Sequence, residues 1–298
     1  MTSPVPERQR APVAPGRCSF DLPLGPIVAR VLDLPTTHDF VAEHYDPFCE
    51  PVDPSRHADL VVTCTEGTGV IVPLPPPGGS TRLELDPLGE QRYRIRSHWQ
   101  DGTIDLATGR GEMILTDRVL THFRMSVENY LRIASQLVLI ERGAFLMHTA
   151  GLLDGGRCFL FFGPSGAGKS TATLNSAPRR ALSDDMVVID VSGARPIAHA
   201  VPFFGLFPPA DRTRGAFPLA AACRLHKAPE DRLERLSPAR AVATVSASVP
   251  FVHELRLQHE GLTALVARMV ATVPVCDLHL VKGPGFWNLL DREFPPEP

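Results

Sequence analysis

Between Ala58 and about Thr116 the apolar residues come in short runs: Leu60-Val61-Val62-Thr63-Cys64, Val70-Ile71-Val72, Leu83-Glu84-Leu85 and Tyr93-Arg94-Ile95-Arg96. Turn-forming residues separate them, among them Pro77-Gly78-Gly79 and Asp101-Gly102. This punctuation predicts an antiparallel β region, and hence a small N-terminal β-rich domain over 19–125. The period then changes. Val127, Tyr130, Leu131, Ala134, Leu137 and Val138 share one face at helical spacing, behind Ser126 as a capping residue and ahead of Gly143 as a stop. A helix over 126–142 is expected, bridging the β-rich domain to a second domain that fills the rest of 126–298.

The pattern after Gly143 predicts a strand from Ala144 to Leu153, a tight turn at Asp154-Gly155-Gly156 and a buried strand at Cys158-Phe159-Leu160-Phe161-Phe162. A helix from Lys169 to Ala177, closed by Pro178, and a short strand at Ala181-Leu182-Ser183 would complete a β-α-β unit. Ser237-Pro238 marks the start of another helix, and Thr263 to Ala271 reads as the last substantial one. No internal repeat is present.

Composition narrows the class. With 298 residues, 44% hydrophobic and 21% charged, the chain can bury one large core or two smaller ones. A net charge of −3 without long single-sign blocks gives no footprint for nucleic acid or an anionic membrane, so neither is expected as a partner. The six cysteines lie apart, with no C-x-x-C pair, and read as reduced thiols of a cytoplasmic protein. The first 18 residues, polar and proline-rich, are expected to form a flexible leader and not a secretory signal. No apolar run approaches the roughly 20 residues needed to span a bilayer.

The chemistry concentrates at Gly163-Pro164-Ser165-Gly166-Ala167-Gly168-Lys169-Ser170-Thr171. This is the G-x-x-x-x-G-K-[ST] loop, whose backbone N–H groups and following helix N-terminus cradle phosphate. Lys169 would reach the β- and γ-phosphates, and Ser170 would ligate Mg²⁺. An apolar strand before the loop and a helix-compatible segment after it supply the context the motif needs.

A second carboxylate should sit near the metal. Asp184-Asp185 is one candidate, and Asp190, ending Met186-Val187-Val188-Ile189 in the manner of a Walker B strand, is the other. If the strand ending at Ser183 is the parallel neighbour of the strand entering the loop, the paired aspartates are favoured. Two adjacent carboxylates would suit phosphoryl transfer, one holding Mg²⁺ and the other accepting the proton of an incoming hydroxyl. His148 lies on the strand paired to the one that feeds the loop, from where it would orient Asp185. Arg212, Arg214, Lys227 and Arg240 read as surface positions.

Met147-His148, the Asp154-Gly155-Gly156 turn, the loop and Ser183-Asp184-Asp185 resemble, in order and spacing, the C-terminal kinase domain of HPr kinase/phosphorylase and the related kinases of bacterial biosynthetic clusters. Phosphoenolpyruvate carboxykinase is similar at a greater distance. The resemblance implies an α/β fold with a P-loop kinase domain of the HPr kinase/phosphoenolpyruvate carboxykinase type. It also implies Mg²⁺ and ATP, transfer of the γ-phosphate to a serine or similar hydroxyl of a peptide, carrier protein or small molecule, Asp185 as base, Asp184 as metal-associated acid, His148 beside the reacting phosphate and Lys169 on the phosphates. The signature segment of the bifunctional enzymes is replaced here by Pro202-Phe203-Phe204-Gly205 and Arg212-Thr213-Arg214-Gly215, so HPr as acceptor and phosphorolysis do not follow. Two other classes stay open: a nucleotide-binding regulatory or scaffold protein without transfer activity, and an ATPase or GTPase using Asp190. The pattern sets no oligomeric state.

Overall fold

The computed structural model describes residues 16–36, 39–76, 82–207, 211–251 and 259–295. Among them the fold is mixed α/β, with two eight-stranded sheets and six helices. The first sheet contains β1 (Gly16–Leu24), β2 (Ile27–Thr36), β3 (Glu50–Pro51), β4 (Leu60–Glu66), β5 (Glu84–Pro87), β6 (Arg92–Ser97), β7 (Gln100–Asp105) and β8 (Arg110–Leu115), in the order β3-β1-β2-β4-β8-β7-β6-β5; α1 (Phe40–His44) lies between β2 and β3 in the chain. β1 starts inside the span expected to be a leader, whose first 15 residues lie outside the described ones.

The sheet is not wholly antiparallel as the turn pattern predicts, because β2–β4 and β4–β8 pair in parallel. The β1–β2 hairpin carries Pro23 and Pro35 and a fully buried Asp21, features that obscure alternation. The Arg30 guanidinium neutralises Asp21 with a two-pronged contact at 2.7 and 2.9 Å. Val70-Ile71-Val72 forms no strand, and the expected Pro77-Gly78-Gly79 turn lies outside the described residues.

α2 (Leu120–Glu141) begins six residues before the expected start, so Ser126 is a buried residue within the helix and not its cap. Gly143 ends it with φ +77°, a conformation costly for residues with a Cβ. The predicted stripe is buried, and so are Ser126, Glu128, Ser135 and Gln136, because α2 packs against both sheets and is covered on nearly all sides. Its core continues from Val31 and Ile104 of the first sheet to Leu146 and Val188 of the second. Fully burying a Leu or Ile at such a position stabilises by roughly 1.5–3 kcal/mol.

The second sheet is built from β9 (Ala144–Asp154), β10 (Arg157–Phe162), β11 (Arg180–Ser183), β12 (Met186–Asp190), β13 (Ile197–Ala200), β14 (Ala216–Lys227), β15 (Arg232–Arg235) and β16 (Val275–Leu280). α3 (Lys169–Leu174) follows β10, α4 (Pro238–Ser246) and α5 (His259–Thr272) precede β16, and α6 (Phe286–Glu293) ends the described fold. Pairings run β10-β9-β12-β13-β14 and return through a parallel β14–β10 contact, closing a ring. Phe162 and Leu160 face a core with α4 and α5, while Phe161 and Phe159 face another with α3 and α6. That two-sided burial accounts for the unbroken apolar run Phe159–Phe162.

The expected β-α-β unit does not form with β11. That strand pairs antiparallel with β9, and the parallel neighbour of β10 is β14. α3 is also shorter than expected, ending at Leu174. No helix among the described residues is long and apolar enough to cross a membrane, and the six cysteines are free.

Candidate functional site

The hairpin β9–β10 delivers the glycine-rich loop. Gly155 and Gly156 both have positive φ (+56° and +78°), the geometry of a two-residue turn whose twist matches its strands. It sets Thr149 opposite Phe162, so His148 lies level with the start of the loop. Thr149 holds this end of the hairpin by donating its hydroxyl to the Phe161 carbonyl at 3.1 Å.

Within the loop, Gly166 and Gly168 sit at φ +78° and +110°. An added Cβ at either would meet nothing within 4 Å, so backbone conformation and not lack of space calls for glycine there. The open space in front of both is what an anion cradle requires. Lys169 arches back over the loop and donates from Nζ to the Gly163 carbonyl at 3.0 Å. Burial lowers its pKa, and the Asp185 charge opposes that shift. Ser170 follows in the first turn of α3. Pro164, Ser165, Ala167 and Thr171 complete the loop between and beyond these residues.

β11 and β12 bring the aspartates to the same place. The Ser183 hydroxyl accepts hydrogen bonds from the Asp185 and Met186 N–H groups at 3.2 and 3.1 Å, and Thr149 N–H donates to the Asp185 carbonyl at 2.9 Å. The Asp185 carboxylate meets His148 Nε2 at 3.2 Å through one oxygen and Arg132 Nη2 at 3.1 Å through the other. Burial opposes its charge, but His148, Arg132 and Lys169 outweigh that cost and hold the carboxyl below the usual range. His148, Lys169 and Asp185 thus lie together at the mouth of the loop.

Asp184 has a different task from the one expected of it. Its carboxylate accepts the N–H groups of Gly205 at 3.2 Å, Leu206 at 2.6 Å and Phe207 at 3.2 Å. Only 3% of the residue is exposed, so it anchors a loop and is not an open metal ligand. Asp190 is farther still. It pairs with Ala144 while Met186 pairs with His148, which puts it about 13 Å down β12 at roughly 3.3 Å per residue. There it accepts the Ser192 N–H and hydroxyl at 2.8 and 2.7 Å.

Three residues that the motif reading does not include support the site. Arg132 bonds Glu128 at 2.9 Å, Glu128 bonds Arg124 at 2.8 Å, and Arg124 donates to the Phe204 carbonyl at 2.9 Å with its guanidinium 4.0 Å from the Phe204 ring centre. A signal was present: Arg124, Glu128 and Arg132 recur every four residues and so share one face of α2. Arg212, expected at the surface, is buried below the aspartates. It donates to the carbonyls of Pro202 at 2.9 Å and Phe203 at 3.2 Å, above the Phe48 ring. Burial pulls its pKa down to about 10 against the attraction of Asp184, Asp185 and Glu128.

A cleft of about 520 Å³ opens beside the loop, between Gly163-Pro164-Ser165 and the last turn of α4. His148 N–H donates to the Ser248 carbonyl at 2.8 Å, tying that turn to the site. With open space in front of Gly166 and Gly168 and Lys169 beside them, the loop is the part of the site that could hold a polyphosphate, and Ser170 the residue that could share its cation. Among the described residues no group of three His, Cys, Asp or Glu side chains forms a metal cluster by itself.

The family model described as "SynChlorMet cassette protein ScmC" matches residues 120–294, more than half of the chain. No curated protein is similar enough to count as a match.

Proposed function

The chain belongs to the ScmC family of SynChlorMet cassette proteins, and from its own residues we propose that it is a Mg-ATP-dependent kinase transferring the γ-phosphate to a serine or similar hydroxyl on a peptide, protein or small molecule. The observation that carries the reading is the Asp185 carboxylate, fixed by His148 and Arg132 beside the lysine of a phosphate-binding loop. The spacing of His148, the loop and Asp185 also resembles HPr kinase and its relatives, and this supports the same reaction class.

In this mechanism the loop N–H groups and Lys169 would hold the donor phosphates, and Ser170 would help hold Mg²⁺. The bound Mg²⁺ would neutralise charge developing on the transferred group. The acceptor oxygen forms the new O–P bond while the bond from the γ-phosphorus to the β–γ bridging oxygen of ATP breaks, releasing ADP. Asp185 takes the hydroxyl proton. His148 and Arg132 keep Asp185 ionised at neutral pH, and His148 also fixes its direction. Asp184 acts indirectly by holding the 205–207 turn.

One observation favours a second reading, a nucleotide-binding regulatory protein without transfer: both Asp185 oxygens already have cationic or histidine partners, and such pairing weakens a base. Transfer of γ-labelled phosphate from Mg-ATP to hydroxyl-bearing peptides and small molecules separates the two. The kinase reading expects labelled product from the wild type and a loss of about 10²-fold or more in Asp185→Asn with ATP binding retained. Equal transfer by Asp185→Asn refutes the base assignment. Binding of ATP without transfer or hydrolysis supports the second reading.

A further inference from the structure

Resting on the reading of the loop as a donor site, we infer that the 520 Å³ cleft beside it is the subsite for the nucleoside end of the donor, with Arg224 gripping the phosphate chain at its entrance. Its volume falls within the range of small-molecule sites. One wall is the loop itself, from Gly163 to Ser165, so a ligand bound there is continuous with one in the cradle.

The opposite wall is the last turn of α4. Ala243 and Ala247, one turn apart and both exposed, line the cleft, while Ala241 and Val245 turn into the core. Their small side chains leave room for a flat ring. Thr244 and Ser248 line the same wall and bring hydroxyls suited to a sugar or a base edge.

Arg224 is built into position. It is the register partner of Phe162, the residue before Gly163. Asp277, 4% exposed, receives its Nε at 2.6 Å and its Nη2 at 2.8 Å, and also contacts His226 at 3.0 Å and Arg240 at 3.4 Å. Two guanidinium groups share this one carboxylate, and Arg224 is the one that lines the cleft. Arg224 Nη1 has no protein hydrogen-bond partner among the described residues, and a fork held on two nitrogens presents the third at little entropic cost.

Sheet order gives the direction. Across the edge bearing the loop the strands run β12, β9, β10, β14, which puts Asp185 and Arg224 on opposite flanks. The acceptor hydroxyl must meet Asp185, so the terminal phosphate faces that flank. The cleft itself reaches from His148, the partner of Asp185, to Arg224, so the rest of the donor extends toward its Arg224 end.

Isothermal titration calorimetry of the full chain in Mg²⁺ with ATP and with inorganic tripolyphosphate, which has no nucleoside, tests this. The wild type should bind ATP at least about tenfold more tightly than tripolyphosphate. Ala247→Trp, at an exposed position, should lose that advantage while binding tripolyphosphate within about twofold of wild type, and Ala243→Trp should do the same. Equal wild-type affinity for the two ligands, or unchanged ATP affinity in both tryptophan variants, overturns the nucleoside subsite and leaves the loop reading intact. Binding of neither ligand by the wild type overturns the loop reading, and the subsite with it.

Discussion

Replacing Arg132 with methionine removes the cation that joins two acids. The Glu128 side chain is 6% exposed and that of Asp185 19%, with Arg132 between them at 2.9 and 3.1 Å. Breaking a fully buried pair by deleting one partner costs about 3–5 kcal/mol, because the remaining charge is left uncompensated. His148 still contacts Asp185 and Arg124 still contacts Glu128. Those contacts and partial exposure bring the expectation down to about 2–3 kcal/mol. At roughly 2–4 °C per kcal/mol for a protein approaching this size, the melting temperature should fall by about 4–12 °C. Glu128→Gln in the same chain removes one of the two orphaned charges, so the double variant should melt above Arg132→Met alone. Differential scanning calorimetry at pH 7 of the two single variants and the double variant gives the cycle. A shift under about 1 °C for Arg132→Met, or a double variant at the sum of the single losses, would refute the idea that Arg132 is the shared counter-ion.

Asp184→Asn puts an amide group against backbone donors at 205–207 and should cost about 1–3 kcal/mol; hydrogen exchange at Gly205, Leu206 and Phe207 should accelerate, and unchanged exchange would contradict the anchor role. Gly166→Ala should cost about 1–2 kcal/mol from its left-handed backbone alone, since a Cβ there has free space, and chemical denaturation reads the loss. The carboxyl of Asp277 is also held low, because although burial opposes its charge, Arg224 and His226 outweigh it. A lowered carboxyl stabilises fully above its unfolded value near 3.8 and loses that contribution as pH falls through the folded value. The gap in urea midpoint between wild type and Asp277→Asn should therefore be constant from pH 7 to 5 and close below about pH 4; a gap that widens in acid would reverse the sign of the argument.

Local signals carried the stretch from Val127 to Phe162 well. The stripe from Val127 to Val138, the Gly-Gly turn and the run Cys158–Phe162 each depend on contacts within a few residues, and each lies where the pattern put it. The first half was harder to read. β1 and β2 contain prolines and a buried ion pair, and the parallel partners of β2 and β4 come from distant parts of the chain. The same limit hid Arg224 and Asp277, which lie 53 residues apart and become a pair only because β14 and β16 run side by side. Arg212 looked like surface because its partners are backbone carbonyls, which leave no mark in a sequence.

The paired aspartates show how neighbouring residues divide their work. Read as a dipeptide, Asp184-Asp185 suggests one carboxylate on a metal and one on the acceptor proton, side by side. These two residues form the bend between β11 and β12, and their side chains find separate partners. Once Asp185 turns toward His148 and the loop, Asp184 turns the other way, and three backbone N–H groups meet it there. On the proposed kinase reading a single carboxylate is then left for proton transfer, and its neighbour holds the turn next to Phe204, the residue gripped by Arg124 at the end of the α2 charge chain. Asp184→Asn and Asp185→Asn should accordingly differ in kind: the first should loosen the 205–207 turn and reduce stability, while the second should remove phosphate transfer from a protein that still folds and binds nucleotide.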